Sequence, residues 1–260
     1  MFESLAQFLP IYANRPPRHH SVYLTLGVTR IHWLAMSKPY QIFVGCPFAR
    51  DMRSIYDRLK RDIESTTPLS IVLADTVGLT SSDYLLESIT TLITESTACI
   101  FDVTGANPNV SLEVGIAHTV PVNFLLTLKT RQNQAKARQR EAGGPGTREV
   151  RSIISDLQGK TRIEYKQYDG LRKQVEDRYL AHLPYMKRWH QFAKQNKGMV
   201  PIAVAIFEDI RSSGRSQVSR VQAHVEGSGF TVTQILSALN AQKLILVKRG
   251  RTGGIFYPAK

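Results

Sequence analysis

The sequence has few cysteines and no long apolar run, and both shortages narrow the class of protein. Only two cysteines occur in 260 residues, Cys46 and Cys99, and both lie inside apolar stretches, which excludes a disulfide framework. This use of cysteine indicates a reducing compartment, and we expect a cytoplasmic protein. No stretch is long enough to span a bilayer and no signal peptide with a credible cleavage site occurs, so no membrane partner is predicted.

Several signatures of common enzymes are missing as well. The sequence has no Gly-x-x-x-x-Gly-Lys-Ser/Thr loop, no Gly-x-Gly-x-x-Gly after a strand, no cysteine pair at zinc spacing and no Gly-x-Ser-x-Gly elbow. Kinases, simple dehydrogenases, zinc deaminases and serine hydrolases therefore lose support. The seven histidines are scattered, and neither a metal site nor a cofactor is predicted.

Positive charge is plentiful but unevenly distributed. The net charge is +13, yet residues 36–130 are mildly acidic, and most of the excess of Lys and Arg lies in residues 131–260. A basic half attached to an acidic core indicates an anionic partner, and nucleic acid is favoured over a membrane because no basic amphipathic anchor stands out. The alternative is a solvated basic surface that has no specific partner.

The chain divides into four regions. Residues 1–35 do not resemble the rest, and Met36 precedes the first strong strand as a translation start often does. We therefore interpret residues 1–35 as an extension outside the native product, which an abundant peptide from this region in the native protein would contradict. Residues 36–168 are the first predicted domain, residues 169–197 a connecting helix, and residues 198–260 a second domain.

From residue 41 onward, apolar strands alternate with helices. Strands are predicted at residues 41–45, 69–74, 98–101, 123–128 and 161–168, and helices at residues 51–64, 82–95 and from Asn107. Strands that are apolar throughout and separated by helices imply a parallel sheet covered on both sides. We predict an α/β fold with a doubly wound sheet of the flavodoxin or Rossmann type. Residues 131–148 are predicted to be a basic loop or lid, either clamping a phosphate or simply solvated, and residues 149–157 a helix.

Residues 198–260 show the pattern of a small winged-helix domain. Three short helices (residues 200–212, 216–225 and 231–242) precede two strands (residues 244–247 and 255–257) joined by a basic, glycine-rich turn. In such a domain the third helix can enter a groove of DNA while cations meet phosphates. The candidates are Lys243, Lys248, Arg249 and Arg251. Because the third helix holds only one outward cation, a protein-interaction or dimerisation module is the alternative.

The stretch from Ala98 to His118 is where we expect chemistry. An apolar strand ends at Asp102, the chain turns at Gly105, and Asn107 is placed to cap a helix that has Pro108 in its first turn. Glu113 shares a helical face with apolar side chains, where a carboxylate is unfavourable unless it is used. The alternative is a glutamate at the helix edge, capped by a backbone N–H or paired with an arginine.

Active sites of parallel sheets lie beyond the carboxyl ends of the strands. This rule gathers the strand-end residues and the start of the helix that carries Glu113 into one predicted crevice. The candidates placed there are Cys46, Pro47, Phe48, Asp75, Asp102, Gly105, Asn107, Asn109 and Glu113.

Three motifs resemble the nucleoside 2-deoxyribosyltransferase-like group, neighbours of the Toll/interleukin-receptor-like (TIR) domains. They are Phe-Val-Gly-Cys-Pro-Phe (residues 43–48), Phe-Asp-Val-Thr-Gly (residues 101–105) and Asn-Pro-Asn-Val-Ser-Leu-Glu-Val-Gly-Ile-Ala (residues 107–117). The resemblance covers about residues 40–130. It implies that Glu113 attacks or stabilises the anomeric carbon as an N-glycosidic bond breaks. It also implies that Asp102 helps to hold the sugar or base, with Pro47 and Phe48 beneath the base.

One departure from that group limits the assignment. Deoxyribosyltransferases commonly carry an acid six residues before the glutamate, where this chain has Asn107. Protonation of the base would then fall to Asp75, Asp83 or Asp102, or the reaction is hydrolysis of an already activated bond such as that to nicotinamide.

We therefore expect N-glycosidic cleavage or base exchange on a nucleoside, nucleotide or NAD-like substrate, in a homo-oligomer with a winged helix that binds DNA or a partner. The alternative is a non-catalytic, nucleotide-sensing regulator that binds DNA. Modification of a base within DNA would unite both halves, but residues 36–130 supply no basic channel for it.

Overall fold

Five parallel strands form the central sheet. They are β1 (Lys38–Gly45), β2 (Ser70–Leu73), β3 (Ser96–Asp102), β4 (Asn123–Lys129) and β5 (Arg162–Tyr165). Their spatial order is β2-β1-β3-β4-β5, the order of flavodoxin-like doubly wound sheets. The prediction of an α/β fold with a parallel sheet is confirmed.

The structure is a computed structural model that describes residues 38–76, 82–130, 162–250 and 253–258. The predictions made for residues 1–35, for the loop at 131–148, for the helix at 149–157 and for Arg251 lie outside these residues. No helix in the described part of the chain combines the length and apolarity needed to cross a membrane.

Helices cover both faces of the sheet. They are α1 (Arg50–Glu64), α2 (Ser82–Glu95), α3 (Pro108–Thr119), α4 (Tyr168–Arg178) and α5 (Pro184–Gln195). Because successive residues of a strand point to opposite faces, Ile42 and Val44 of β1 join the core beneath α1, whereas Phe43 joins the core beneath α2 and α3. At the carboxyl edge of the sheet, the same alternation places the last residue of β1 and the last residue of β3 toward opposite faces.

Residues beyond α5 form a C-terminal unit of three helices and a hairpin. The helices are α6 (Val200–Ser213), α7 (Val218–Val225) and α8 (Val232–Ala241), and the antiparallel strands are β6 (Leu246–Lys248) and β7 (Gly254–Phe256). Thr231 and Gln234 form a capping box at the start of α8. An isolated bridge between Ser216 and Ile255 ties the start of α7 to the hairpin.

The C-terminal unit packs against the sheet on the face that carries α1. The Tyr257 ring stacks on Tyr40 with centroids 3.7 Å apart, and its hydroxyl donates to the carbonyl of Pro68 at 2.7 Å. The Arg211 guanidinium donates to the backbone carbonyls of Glu64, at 2.8 Å, and Leu69, at 3.2 Å, which lie at the end of α1 and before β2. Apolar residues of both regions share one continuous core.

Candidate functional site

Helix α3 begins as the sequence predicts and carries Glu113 toward the sheet. The Asn107 side-chain oxygen accepts from the backbone N–H groups of Asn109, at 3.0 Å, and Val110, at 3.3 Å, and Pro108 occupies the first turn. These bonds satisfy two of the donors that a helix leaves unpaired at its start. Glu113 lies on the inward face with Val110, Val114 and Ala117 and is only 4% exposed.

The Glu113 carboxyl group lies directly over the backbone of Gly45, the last residue of β1. A Cβ atom at position 45 would overlap Glu113 Oε2 and would fall 2.8 Å from Cδ1 of Phe101. Only glycine leaves room for the carboxyl group at this strand end. Gly45 is a site residue that the sequence reasoning missed, although a glycine that closes an apolar strand is a signal that could have found it.

One oxygen of the Glu113 carboxyl group, Oε2, is buried without a hydrogen-bond partner within the described residues. Burial disfavours the charged form and raises the pKa of Glu113 from 4.5 to about 7. Both protonation states are therefore accessible near neutral pH, as nucleophilic and acid–base chemistry requires.

The loop after β1 supplies one thiol and two candidate contacts for a base. Cys46 is 5% exposed, and burial raises its pKa to about 12, so its thiol stays protonated and is a poor nucleophile. Pro47 is buried, whereas Phe48 is 52% exposed. Phe48 is thus the member of this loop that is free to meet a ligand.

Asp102 lies on the other face of the sheet from Glu113. Its Oδ2 atom accepts from the hydroxyls of Tyr56, at 2.8 Å, and Tyr165, at 2.7 Å, and its Oδ1 atom accepts from the Thr104 backbone N–H at 2.9 Å. The carboxyl group is completely buried. The crevice predicted at the sheet edge therefore does not bring Asp102 and Glu113 together.

Asp102 instead holds the turn that leads into α3. Its bond to the Thr104 N–H anchors one side of this turn, and Thr104 Oγ1 accepts from the Lys129 backbone N–H at 2.8 Å on the other side. Gly105 completes the turn with a φ of 75°, a conformation that favours glycine. This arrangement makes Asp102 a positioning residue for the start of the helix that bears Glu113.

Of the two other acids predicted for the site, the structure describes the side chain of Asp75 but not that of Asp83. Asp75 follows β2 and forms an ion pair with the Nε atom of Arg53, whose Nη1 atom also pairs with Asp57 at 2.7 Å. Asp83 lies in the first turn of α2, and its side chain lies outside the described part of the molecule. Asn109 is exposed beside the cap of α3.

The predicted nucleic-acid contacts lie in the C-terminal unit. Lys243 follows α8, Lys248 is the last residue of β6 and Arg249 comes directly after it, and all three are exposed. The Lys248 ammonium lies 5.4 Å from the centre of the Phe256 ring on the neighbouring strand. These cations thus lie on the first strand of the hairpin, just after that strand, and on the turn that precedes it.

Within the described residues, no cluster of three or more His, Cys, Asp or Glu side chains could hold a metal ion. Comparison with known proteins finds neither a family model nor a curated protein that matches this chain.

Proposed function

We propose that the protein cleaves or exchanges the N-glycosidic bond of a nucleoside, nucleotide or NAD-like molecule, with Glu113 as the group that meets the anomeric carbon. The observation that carries the proposal is the buried Glu113 carboxyl group, whose Oε2 atom has no partner and lies over Gly45 at the carboxyl edge of the sheet. A buried carboxyl oxygen without a partner is unfavourable for folding, and use in chemistry explains its presence.

The chemistry requires one carboxylate on the sugar side. As the C–N bond breaks, its electron pair leaves with the base and the sugar becomes an oxocarbenium-like cation. The Glu113 carboxylate stabilises that cation or forms a covalent ester with it, which water or a second base then displaces. Because this role needs the ionised form, base release should increase as the pH rises through about 7.

The surroundings of Glu113 favour a base that leaves without taking up a proton. Asn107 has no acidic proton and its side-chain oxygen is engaged in capping α3. Asp102 is enclosed by its hydrogen bonds, and Asp75 is paired with Arg53. A cationic base such as the nicotinamide of an NAD-like molecule departs neutral, and it needs no general acid.

The same observations support a second candidate, a sensor that binds a nucleotide without cleaving it. Asp102 is enclosed, the Asn107 side-chain oxygen caps α3 and Asp75 is paired with Arg53, so none of these three predicted site residues is free to protonate a neutral base. A sensor would bind the substrate panel and release no base, so product analysis separates the two candidates.

We also propose that the C-terminal unit is a winged helix that binds DNA. Its order of three helices and a hairpin, together with the Ser216–Ile255 bridge, supports this assignment. The outer positions of α8 are polar and exposed, as a helix that reads a groove requires. They include Thr233, Gln234, Ser237 and Asn240.

The reaction is tested by incubating the full chain with NAD and a panel of nucleosides and nucleotides and measuring the released base by chromatography. Release by the wild type and its loss in Glu113→Gln support the proposal, provided that the variant still binds the substrate. The matched control is Glu87→Gln, an exposed glutamate of α2, which should release base at the wild-type rate.

A further inference from the structure

The α2–α3 face, defined as the outward surface of helices α2 and α3, differs in charge from the rest of the molecule. The chain carries 34 Lys and Arg residues, yet none occurs between Arg61 and Lys129. Both helices lie inside this interval and pack against each other on one side of the sheet. The protein as a whole is strongly cationic, but this face has no cation of its own.

The α2–α3 face also exposes large apolar side chains. Leu85 is 39% exposed and Leu86 48% exposed on α2, and Leu112 is 54% exposed on α3. Between Leu112 and the end of α3, Gly115 is exposed, and a Cβ atom there would meet nothing within 4 Å. Exposed leucines on two helices that pack together mark an interaction surface more strongly than a single exposed apolar residue does.

The described acids of these helices do little to make the α2–α3 face polar. Glu113 is buried, and Glu95 pairs with Lys38 of β1 at 2.8 Å, which leaves Glu87 as the exposed carboxylate of the described side chains. A cationic partner would therefore find little to pair with. An apolar surface without cations is the better match.

We propose that the α2–α3 face binds the α2–α3 face of a second copy of this chain. Two molecules of net charge +13 repel each other, and the repulsion is least where neither presents a cation. A twofold contact between these faces would bring leucines of both copies together and remove them from water. This contact would form whether or not Glu113 is catalytic.

The association would also bear on the candidate site. Leu112 immediately precedes Glu113 in α3, so a second copy seated on Leu112 would cover the outer side of the helix whose inner side presents the carboxyl group. Glu113 itself stays on the sheet side and is not part of the interface.

Sedimentation velocity of the full chain over a range of concentrations tests the proposal. The wild type should sediment as a dimer, and the double variant Leu86→Lys/Leu112→Lys should raise the dimer dissociation constant by about 100-fold or more, because like charges then meet across the contact. The matched control is Val218→Lys on α7, where Val218 is 54% exposed, as Leu112 is, but lies in the C-terminal unit. This control should remain a dimer.

The variant Gly115→Arg tests whether the dimer can dissociate without loss of folding. Arginine favours a helix more than glycine does, and the position offers open space, so this variant should keep its thermal stability while becoming monomeric. A monomeric wild type at high concentration would overturn the proposal. A dimer that persists in both Gly115→Arg and the double lysine variant would overturn it too, because the contact would then lie on another surface.

Discussion

The carboxyl group of Glu113 occupies the space that a Cβ atom at Gly45 would need. One residue ends the first strand and the other lies in the third helix, so the site depends on a close approach between backbone and side chain. The approach places an unpartnered carboxyl oxygen against the carboxyl edge of the sheet.

Gly45→Ala should displace the Glu113 side chain. The added methyl group would overlap Glu113 Oε2 and crowd the Phe101 ring, so we expect a loss of about 1–3 kcal/mol in the free energy of unfolding together with loss of base release. Denaturant unfolding and the base-release assay measure the two effects. Gly115→Ala is the control, because its methyl group meets nothing within 4 Å and should stabilise α3 by up to about 1 kcal/mol. Equal behaviour of the two variants would contradict the proposed contact.

Burial of Glu113 should make the folded protein less stable as the pH rises. The pKa of Glu113 is about 7 in the folded state against an ordinary value of 4.5, so between these values the folded state holds a proton that the unfolded state has lost. The free energy of unfolding therefore falls as the pH rises through this range, by about 3 kcal/mol in total.

Glu113→Gln should remove that loss, because the amide carries no charge to bury. At pH 8 we expect the variant to be more stable than the wild type by up to about 3 kcal/mol, although it releases no base. Thermal unfolding across pH measures the difference. Glu87→Gln retains the buried acid, so its stability should still fall as the pH rises. The prediction fails if the stability of Glu113→Gln falls with pH as much as that of the wild type.

Tyr165→Phe should loosen the turn that Asp102 holds. The variant removes one of the two hydroxyls that donate to Asp102 Oδ2, and a hydrogen bond to a buried charged group contributes about 1.5–3 kcal/mol. Tyr168→Phe removes a similar bond to Asp62, but at a half-buried position where water can replace the hydroxyl, so its effect should be smaller. Chemical denaturation compares the two variants. Equal losses of unfolding free energy in the two variants would indicate that the burial of Asp102 does not strengthen its hydrogen bond to Tyr165.

The regular elements of the sheet domain follow closely from the sequence because their signals are local. Apolar runs place β1, β3 and β4 to within a few residues, and Asn107 and Pro108 determine where α3 begins. The periodicity of α3 also places Glu113 on the buried face. The strand order did not follow, because it depends on which strands pair, and the pairing residues are far apart in the chain.

The position of Asp102 relative to Glu113 could not be read from local patterns. Both belong to the carboxyl edge, but alternation along β3 sends Asp102 to the face that carries α1. Its partners Tyr56 and Tyr165 lie 46 and 63 residues away, and no motif links them to it. For the same reason the sequence did not reveal that Tyr257 and Arg211 join the C-terminal unit to the sheet domain.

The basic hairpin should give DNA binding its dependence on salt. Replacing Lys248 and Arg249 by Ala should weaken binding to duplexes of any sequence. If each side chain meets one phosphate, the negative slope of log affinity against log salt should become shallower by about 2. Fluorescence anisotropy at several salt concentrations measures the slope. The control replaces Lys187 and Lys194, two exposed lysines of α5. An equal change in this control would contradict a specific role for the hairpin.

Base release by the wild type and by Glu113→Gln, measured on NAD and a panel of nucleosides and nucleotides, tests the central claim most directly. We predict that the wild type liberates the base of at least one substrate. Glu113→Gln should bind that substrate and release its base at least about 1,000-fold more slowly, as expected for loss of a nucleophile. Release by Glu113→Gln at the wild-type rate would contradict the assignment of Glu113, and binding by the wild type without any release would identify a sensor instead.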